Sequence, residues 1–301
     1  MQSFYSNGKL LLTGEYVVLD GAKALALPTK YGQSLIVNPI TEQKLYWKSF
    51  NSQGKVWFED ELSVKTLKKS FTLSNNDVLR RLFEIIISAK QLNDTFLSSD
   101  SGSSVTTQLD FPNNWGLGSS STLINNVAQW AQVDAYKLLE MTFGGSGYDI
   151  ACAQNATPIF YQKNNDVRTI KPITFKPQFE EHLYFLHLNK KQNSGKAITH
   201  YNTKSVEPTN IKRISSISNA IVDCSDFDMF CSLMDEHEQI LSKILNMPTI
   251  KTQLFPDFSG SIKSLGAWGG DFVLVGVKDD PIPYFSSKGY NTIITFGEMI
   301  L

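Results

Sequence analysis

A glycine- and serine-rich stretch between two patterned segments constrains this chain more than any other feature. It spans residues 113–122 and reads Asn-Asn-Trp-Gly-Leu-Gly-Ser-Ser-Ser-Thr. The alternating residues 105–111 before it predict a β-strand, and the apolar residues after it recur at the spacing of an α-helix. The two glycines therefore belong to a strand-to-helix turn.

This turn is a candidate phosphate-binding site. Gly116 and Gly118 lack a Cβ atom, so the backbone can adopt positive φ and its N–H groups can approach an anion. The start of the helix adds unpaired N–H groups and the positive end of the helix dipole. Its serine hydroxyls can cap the helix, bind a phosphate oxygen or ligate Mg²⁺. No Gly-Lys-Ser/Thr follows, and Ser121 replaces the third glycine of the dinucleotide fingerprint. A plain glycine-serine turn with a helix cap is the alternative.

Length and composition limit the class of protein. With 301 residues, of which 42% are hydrophobic, the chain can bury a sizeable core, and we predict two domains that meet near residue 165. The net charge of -1 gives no general attraction to nucleic acid or to an anionic membrane. Three cysteines without a C-x-x-C pair argue against a disulfide framework and a zinc site, and favour the cytoplasm. No apolar run approaches bilayer length.

Three other segments combine glycine with charged residues. Near the amino end, Gly14-Glu15-Tyr16 lies between two apolar runs. The alternative interpretation is two strands joined at a glycine bulge, with Lys9 and Glu15 in solvent. Asp149 follows the small residues 145–147, where an aspartate often caps a helix. A last glycine cluster, residues 266–271, precedes a predicted strand at 272–277.

The remaining pattern predicts mixed α and β structure. Residues 44–48 and 56–59 read as a hairpin with its turn at 51–54, within a largely antiparallel sheet. Asn76 is a candidate cap for an amphipathic helix. The second half contains further strands at 182–188 and 293–296, a polar loop at 190–196, and two long helices that Pro248 terminates.

Three of these four glycine segments, those at Gly14, at 116–121 and at 266–271, resemble the three motifs of the GHMP kinases in this order and over nearly the whole chain. The first motif corresponds to Gly8-Lys9-Leu10 through Gly14-Glu15-Tyr16. The second corresponds to Gly116-Leu117-Gly118-Ser119-Ser120-Ser121, and the third to Gly266-Ala267-Trp268-Gly269-Gly270-Asp271. In addition, Ser146-Gly147-Tyr148-Asp149 resembles the Ser-Gly-x-Asp segment of the mevalonate kinase branch.

This resemblance implies a two-domain α+β fold. A domain like ribosomal protein S5 domain 2 would span residues 1–165, and a ferredoxin-like domain would span 166–301, with ATP in the cleft between them. The expected activity is ATP-dependent phosphorylation of mevalonate or phosphomevalonate in the cytoplasm. The expected partners are a small-molecule substrate and no nucleic acid or membrane, with the chain as a monomer or homodimer.

The resemblance also implies roles for particular residues. Asp149 would accept or orient the alcohol proton, and Lys9 would keep Asp149 ionised and stabilise developing charge. Phosphoryl transfer needs positioning and charge neutralisation more than covalent help, which fits so few groups. The implied ligands of ATP are Gly116, Leu117, Gly118, Ser119, Ser120, Ser121, Gly266, Gly269 and Gly270. Those of the substrate are Glu15, Tyr16, Ser146, Gly147 and Lys196, and those of Mg²⁺ are Ser120 and Glu140.

Three departures from the family pattern leave alternatives open. Asn7 stands where the family often has proline, and Trp268 replaces a glycine of the third motif. The helix before Asp149 is short, so Glu140 does not have the usual spacing of the family's metal-binding glutamate. Diphosphomevalonate decarboxylase is the alternative enzyme. A catalytically silent GHMP fold that senses a ligand is the alternative without catalysis, and retention of Lys9 and Asp149 argues against it.

Overall fold

The computed structural model describes residues 1–63, 76–98, 101–165, 167–192 and 194–301, without the side chains of Ser194 and Lys196. The described chain forms two compact units, each assembled from separate stretches. The first unit comprises Met1–Gly8, Tyr31–Asn113 and Leu117–Gln154, and the second comprises Lys9–Lys30, Asn114–Gly116 and Asn155–Leu301. Residue 165, where we predicted a domain boundary, follows a strand of the second unit.

The first unit contains strands and four helices among its described residues. Two of its strands, β1 and β2, continue into the second unit. In chain order the elements are β1 (Gln2–Thr13), β2 (Ala24–Ile40), β3 (Lys44–Phe50), β4 (Val56–Ser63), α1 (Asp77–Leu92), β5 (Gly102–Leu109), α2 (Ser119–Ala131), α3 (Ala135–Met141) and α4 (Tyr148–Gln154).

Strands β4, β3, β5 and β2 lie side by side in that order. The predicted β3–β4 hairpin is confirmed, and β2 pairs with β5 in antiparallel fashion. Strands β3 and β5 run parallel, with Trp47 opposite Val105, so the largely antiparallel sheet contains one parallel pair. Trp47 and Val105 are both buried and belong to the core on the sheet face.

The helices of the first unit begin at side-chain caps where the sequence supplies them. The Asn76 side chain accepts hydrogen bonds from Val78 N and Leu79 N, which confirms its predicted role at the start of α1. Leu82 and Ile86 of α1 are buried with Ile124 of α2 in the hydrophobic core that also contains residues of β3. Helix α3 has only seven residues, so the short helix before Asp149 is confirmed.

The second unit carries the remaining strands and helices. A 3-10 helix at Val17–Asp20 comes first, and another lies at Glu180–His182. The other elements in chain order are β6 (Ile159–Asn164), β7 (Val167–Pro172), β8 (Leu183–His187), α5 (Ser194–Tyr201), α6 (Pro208–Asp223), α7 (Phe227–Leu245), α8 (Ile250–Leu254), β9 (Ser261–Ser264), β10 (Phe272–Gly276), α9 (Ile282–Ser287), β11 (Ile293–Thr295) and α10 (Phe296–Met299).

An antiparallel sheet in the order β11, β8, β10, β9 organises this unit. Strand β10 is buried at all five positions, and its Val273 lies opposite Leu186 of β8 and Ser264 of β9. The strands predicted near residues 182–188 and 272–277 are therefore confirmed. None of the described helices is long and apolar enough to cross a membrane.

The amino-terminal segment differs from the glycine-bulge interpretation. Residues after Tyr16 form a 3-10 helix instead of a second strand. Tyr16 has φ 64° and ψ -56°, and Val17 N donates to Glu15 O at 2.8 Å. These values describe a strained γ-turn, which reverses the chain and ends the extended conformation of β1.

Candidate functional site

The glycine-serine stretch forms the predicted strand-to-helix turn. Strand β5 ends at Leu109 and helix α2 begins at Ser119. Gly116 has φ 68°, and Gly118 has φ 90° and ψ 41°. Both conformations are left-handed, a region that residues with a Cβ atom rarely adopt. Leu117 is fully buried, and its predicted contact with ATP stays a prediction.

The first turn of α2 presents serines and backbone donors. The Ser121 hydroxyl donates to Gly118 O at 2.9 Å, so it is engaged by the turn itself. Ser119 is half-buried and Ser120 is exposed. The first N–H groups of a helix have no partner within the helix, and the dipole makes that end positive. The start of α2 is therefore suited to bind an anion.

Within the second unit, Lys9 and Asp271 both contact Gly116. The Lys9 ammonium donates to Gly116 O at 2.8 Å. The Asp271 carboxylate packs against the glycine so closely that a Cβ atom on Gly116 would lie 2.3 Å from Asp271 Cγ. The structure thus brings the lysine of the first motif and the aspartate of the third motif to one residue of the second.

The two residues before Gly116 are anchored by β8 and β10. Asn189 N donates to Nδ1 of His187, which leaves the other ring nitrogen, Nε2, as the donor to Asn114 O at 3.1 Å. The Trp115 ring packs edge-on against Phe272, with the ring centroids 5.4 Å apart. The Trp115 ring thus packs within the second unit.

Asp271 is held in a constrained conformation at the end of the third glycine segment. It is 7% exposed and has a left-handed φ of 53°. Its Oδ1 accepts from Gln192 N at 3.2 Å, and its own N–H donates to Lys190 O at 2.8 Å. Burial raises the pKa of Asp271, while the nearby Lys9 ammonium opposes that rise. Asp271 and Lys9 therefore interact electrostatically beside Gly116.

The glycines of the third segment pack against the same loop. Gln192 Nε2 donates to Gly269 O at 3.1 Å, and a Cβ atom on Gly270 would lie 2.3 Å from Gln192 Cγ. Gly266 and Gly269 have positive φ. Contact of Gly266, Gly269 and Gly270 with a nucleotide stays a prediction.

Asp149 lies in the first turn of α4, in the first unit. It is half-buried, and its Oδ1 accepts from Ile150 N at 3.1 Å. Ser146 and Gly147 before it are buried, and Gly147 O accepts from Ala151 N. One carboxylate oxygen therefore supports the helix start, and the predicted catalytic role of Asp149 stays a prediction.

Glu15 is buried in a charged cluster of the second unit, which contradicts the interpretation that it lies in solvent. It is 2% exposed, and its Oε1 pairs with the ammonium of Lys263, which is fully buried. Burial raises the pKa of Glu15 to about 7 against the opposing effect of Lys263. The predicted contact of Glu15 with a substrate stays untested.

Two residues of α7 complete this cluster. Glu238 accepts from the backbone N–H and the hydroxyl of Ser264, at 3.1 and 2.7 Å. His237 Nε2 accepts from Gly14 N at 2.9 Å and lies 3.5 Å from Glu15 Oε2. Burial raises the pKa of Glu238, and burial together with Lys263 holds the pKa of His237 well below its usual value. We name Glu15, His237, Glu238 and Lys263 the Glu15 cluster; it fixes the first-motif turn to α7 and β9.

Sequence reasoning missed the partners in this cluster. Lys263 lies in β9, whose four residues are all buried. A lysine within so short a buried strand is the signal that could have found it, because lysine is almost never fully buried unless paired. His237 is fully buried in the second unit.

Replacing Lys263 with methionine should lower the free energy of unfolding by about 3–5 kcal/mol, because buried Glu15 would lose the cation with which it pairs in a low-dielectric environment. Urea denaturation at pH 8 measures this. Lys278→Met is the matched control, since Lys278 pairs with Asp228 on the surface and both side chains are largely exposed. Equal, small effects in both variants would contradict the buried ion pair.

Tyr16 also joins the first and third glycine segments. Its hydroxyl accepts from Trp268 N at 2.7 Å, and its ring lies 5.4 Å from that of Tyr201 on α5. The indole of Trp268 is buried and donates to Pro248 O at 3.1 Å. Trp268, which replaces a family glycine, therefore packs into the core of the second unit. A substrate contact by Tyr16 stays a prediction.

Two predicted ligands remain, Glu140 and Lys196. Glu140 is exposed on α3, and its role as a metal ligand stays a prediction. Lys196 falls in α5, but its side chain lies outside the described residues. In the part of the chain that the structure describes, no group of three or more His, Cys, Asp or Glu residues is arranged to hold a metal ion.

Comparison with solved structures places this geometry in a known fold. A Methanococcus jannaschii mevalonate kinase aligns with a TM-score of 0.67 at 16% identity, over 98% of this chain and 96% of the other. A Streptococcus pneumoniae phosphomevalonate kinase, solved with phosphomevalonate and AMPPNP, aligns with a TM-score of 0.67 at 15% identity, over 96% and 94%. The chain has the GHMP kinase fold. This confirms the predicted α+β fold class.

The GHMP kinase fold alone does not distinguish acceptors. A Lactococcus lactis galactokinase complexed with galactose also aligns with a TM-score of 0.67, at 13% identity and over 98% of this chain and 92% of the other. No protein-family model matches the sequence, and no curated protein matches it. Because kinases of three different substrates align with the same TM-score, the identity of the acceptor has to be inferred from the side chains of this chain.

Proposed function

We propose that this chain is an ATP-dependent kinase that transfers the γ-phosphoryl group to mevalonate or phosphomevalonate. The observation that carries the proposal is the left-handed Gly118 immediately before α2, within the GHMP kinase fold. That geometry offers the phosphates backbone N–H groups and a positive helix end.

The remaining roles follow from what phosphoryl transfer requires. Positioning and electrostatic stabilisation supply most of its rate enhancement. Lys9 supplies the cation that stabilises charge on the transferred group, and Asp149 accepts or orients the proton of the acceptor hydroxyl. Glu15, Tyr16, Ser146 and Gly147 are proposed to contact the acceptor.

The proposed protein ligands, Ser120 and Glu140, fit a magnesium ion that binds together with the nucleotide. Mg²⁺ commonly binds one or two protein ligands together with substrate phosphates. The exposed Ser120 hydroxyl at the start of α2 fits that arrangement, and Glu140 is proposed as the carboxylate. When bound, the ion would neutralise charge on the phosphates. We propose the cytoplasm as compartment and either a monomer or a homodimer as the active form.

The test is release of ADP from ATP and Mg²⁺ with a panel of acceptors. The panel contains mevalonate, phosphomevalonate, diphosphomevalonate, homoserine and galactose. We expect turnover with mevalonate or phosphomevalonate. Turnover with diphosphomevalonate and release of CO₂ would identify a decarboxylase instead. ATP or acceptor binding without turnover on any member would identify a ligand sensor.

The acceptor can be narrowed further through charge. A phosphorylated acceptor carries more negative charge than mevalonate and needs cations. If phosphomevalonate is the substrate, Lys196→Ala should raise its KM about tenfold or more, because a charge-assisted hydrogen bond is lost. The KM for ATP should change little. Lys212→Ala, on the exposed face of α6, is the control. Equal effects on mevalonate and phosphomevalonate would contradict the phosphomevalonate assignment.

A further inference from the structure

Hydrogen bonds link six polar residues of the first unit between the Gly118 turn and helix α4, through side-chain contacts and the backbone carbonyl of Gln33. We call them the Thr122–Gln154 network. Five of them are at most 4% exposed, and Gln154 at one end is exposed. The members, in order along the network, are Thr122, Gln33, Asn126, Ser6, Asn125 and Gln154.

One end of the network lies at the phosphate-binding turn. The Thr122 hydroxyl donates to Gln33 Oε1 at 2.8 Å and lies 3.1 Å from Gly118 O. Thr122 N also donates to Gly118 O, at 3.0 Å. Gly118 is the left-handed residue that starts α2, so Thr122 ties its peptide group to strand β2.

The middle of the network crosses strands β1 and β2. Asn126 Nδ2 donates to Gln33 O at 2.9 Å, and Asn126 Oδ1 accepts from the Ser6 hydroxyl at 2.7 Å. Asn125 Nδ2 donates to Ser6 Oγ at 2.8 Å. Asparagine is unfavourable inside a helix unless its side chain has such partners. The two consecutive buried asparagines of α2 therefore serve to hydrogen-bond this helix to strands β1 and β2.

The other end lies on the helix that carries Asp149. Gln154 Nε2 donates to Asn125 Oδ1 at 3.0 Å. Gln154 is the last residue of α4 and Asp149 is in the first turn of the same helix, about 7.5 Å away along the axis. Helices α2 and α4 also pack directly against each other. The hydrogen bond joins the last residue of α4 to α2.

We propose that the Thr122–Gln154 network sets the position of Asp149 relative to the Gly118 turn, and that Thr122 and Gln154 are positioning residues of the phosphoryl transfer. This proposal rests on the proposed kinase function. Apolar packing tolerates small shifts, whereas the hydrogen bonds among the five buried members specify one arrangement. Gln154 extends that arrangement to α4 from an exposed position. A misplacement of about 1 Å can reduce the rate of a positioned reaction by about a hundredfold.

The two ends of the network should affect different kinetic constants. Thr122→Val keeps the shape but removes the hydroxyl, so the Gly118 turn loosens and the Kd for ATP should rise about tenfold, the scale of one lost hydrogen bond. Gln154→Ala acts at an exposed position, so the protein should remain folded. It should lower kcat about tenfold and leave the Kd for ATP within about twofold, because only α4 is released.

Three further variants separate positioning from stability. Thr122→Ser restores the hydroxyl and should restore ATP affinity. Thr107→Val removes another buried hydroxyl hydrogen bond of the first unit, to Ser49 Oγ at 2.8 Å, outside the network. It should lower the Tm about as much as Thr122→Val yet leave ATP affinity and kcat unchanged. Gln129→Ala, at an exposed position of α2, is the control for Gln154→Ala.

The measurements are ATP Kd by calorimetry and kcat with the acceptor that the wild-type chain uses. Equal ATP affinities for Thr122→Val and Thr107→Val, or equal kcat for Gln154→Ala and Gln129→Ala, would overturn the positioning role while leaving the kinase assignment intact. Wild-type protein that neither binds ATP nor phosphorylates any acceptor would overturn the proposed function and this proposal together.

Discussion

Replacing Asp149 with asparagine should lower kcat by about a hundredfold or more while ATP affinity stays nearly unchanged. The substitution keeps the size and shape of the side chain. It removes the negative charge that would accept or orient the proton of the acceptor hydroxyl. The amide oxygen can still accept from Ile150 N, so the start of α4 should persist. Steady-state kinetics and ATP titration of both proteins measure the difference.

The matched control for Asp149 is another aspartate at a helix start in the same unit. Asp134 caps α3 by accepting from Tyr136 N at 2.8 Å. Asp134→Asn should leave kcat unchanged, because asparagine is also a good cap. If Asp149→Asn turned over as fast as Asp134→Asn, the carboxylate of Asp149 would be a helix cap only. The catalytic assignment would then be wrong.

Replacing Gly118 with valine should weaken ATP binding by about a hundredfold or more, which corresponds to ~2.7 kcal/mol. At φ 90° the backbone disfavours any residue with a Cβ atom, and a β-branched side chain adds bulk where the phosphates approach. The strain should cost about 1–3 kcal/mol of stability, which a folded domain can sustain. Calorimetric titration with ATP and Mg²⁺, together with thermal unfolding, measures both effects.

Gly54 provides the control for the strain of positive φ alone. It has φ 71° in the β3–β4 turn, and a Cβ atom there would meet nothing within 4 Å. Gly54→Val should lose a similar amount of stability and keep wild-type ATP affinity. Unchanged ATP affinity in a cooperatively folding Gly118→Val protein would show that the turn does not bind phosphate.

The elements that sequence could predict are those with local causes. The strand-to-helix turn follows from Gly116 and Gly118 together with the serines that begin α2. The start of α1 follows from Asn76, whose side chain caps the helix without any distant partner. Turn and cap preferences act over a few residues, and a single sequence contains them.

The contacts that sequence could not predict join distant parts of the chain. Glu15 pairs with Lys263 across 248 positions, and Ser6 meets Asn126 across 120. No period or spacing relates such residues. Their only sequence signals were polar residues inside apolar segments, such as Asn125 and Asn126 in α2. The γ-turn at Tyr16 was equally hidden, because tyrosine has no preference for positive φ.

The discontinuous make-up of the second unit has a consequence for synthesis on the ribosome. Residues Lys9–Lys30 emerge early, yet most of their unit, Asn155–Leu301, is synthesised more than a hundred residues later. Until then Glu15 has neither Lys263 nor His237 beside it. Folding of this unit must therefore wait for nearly the whole chain, because contacts of such high sequence separation form only when both partners exist. A fragment that stops at residue 165 carries the first two glycine motifs but leaves the Glu15 carboxyl without its cation.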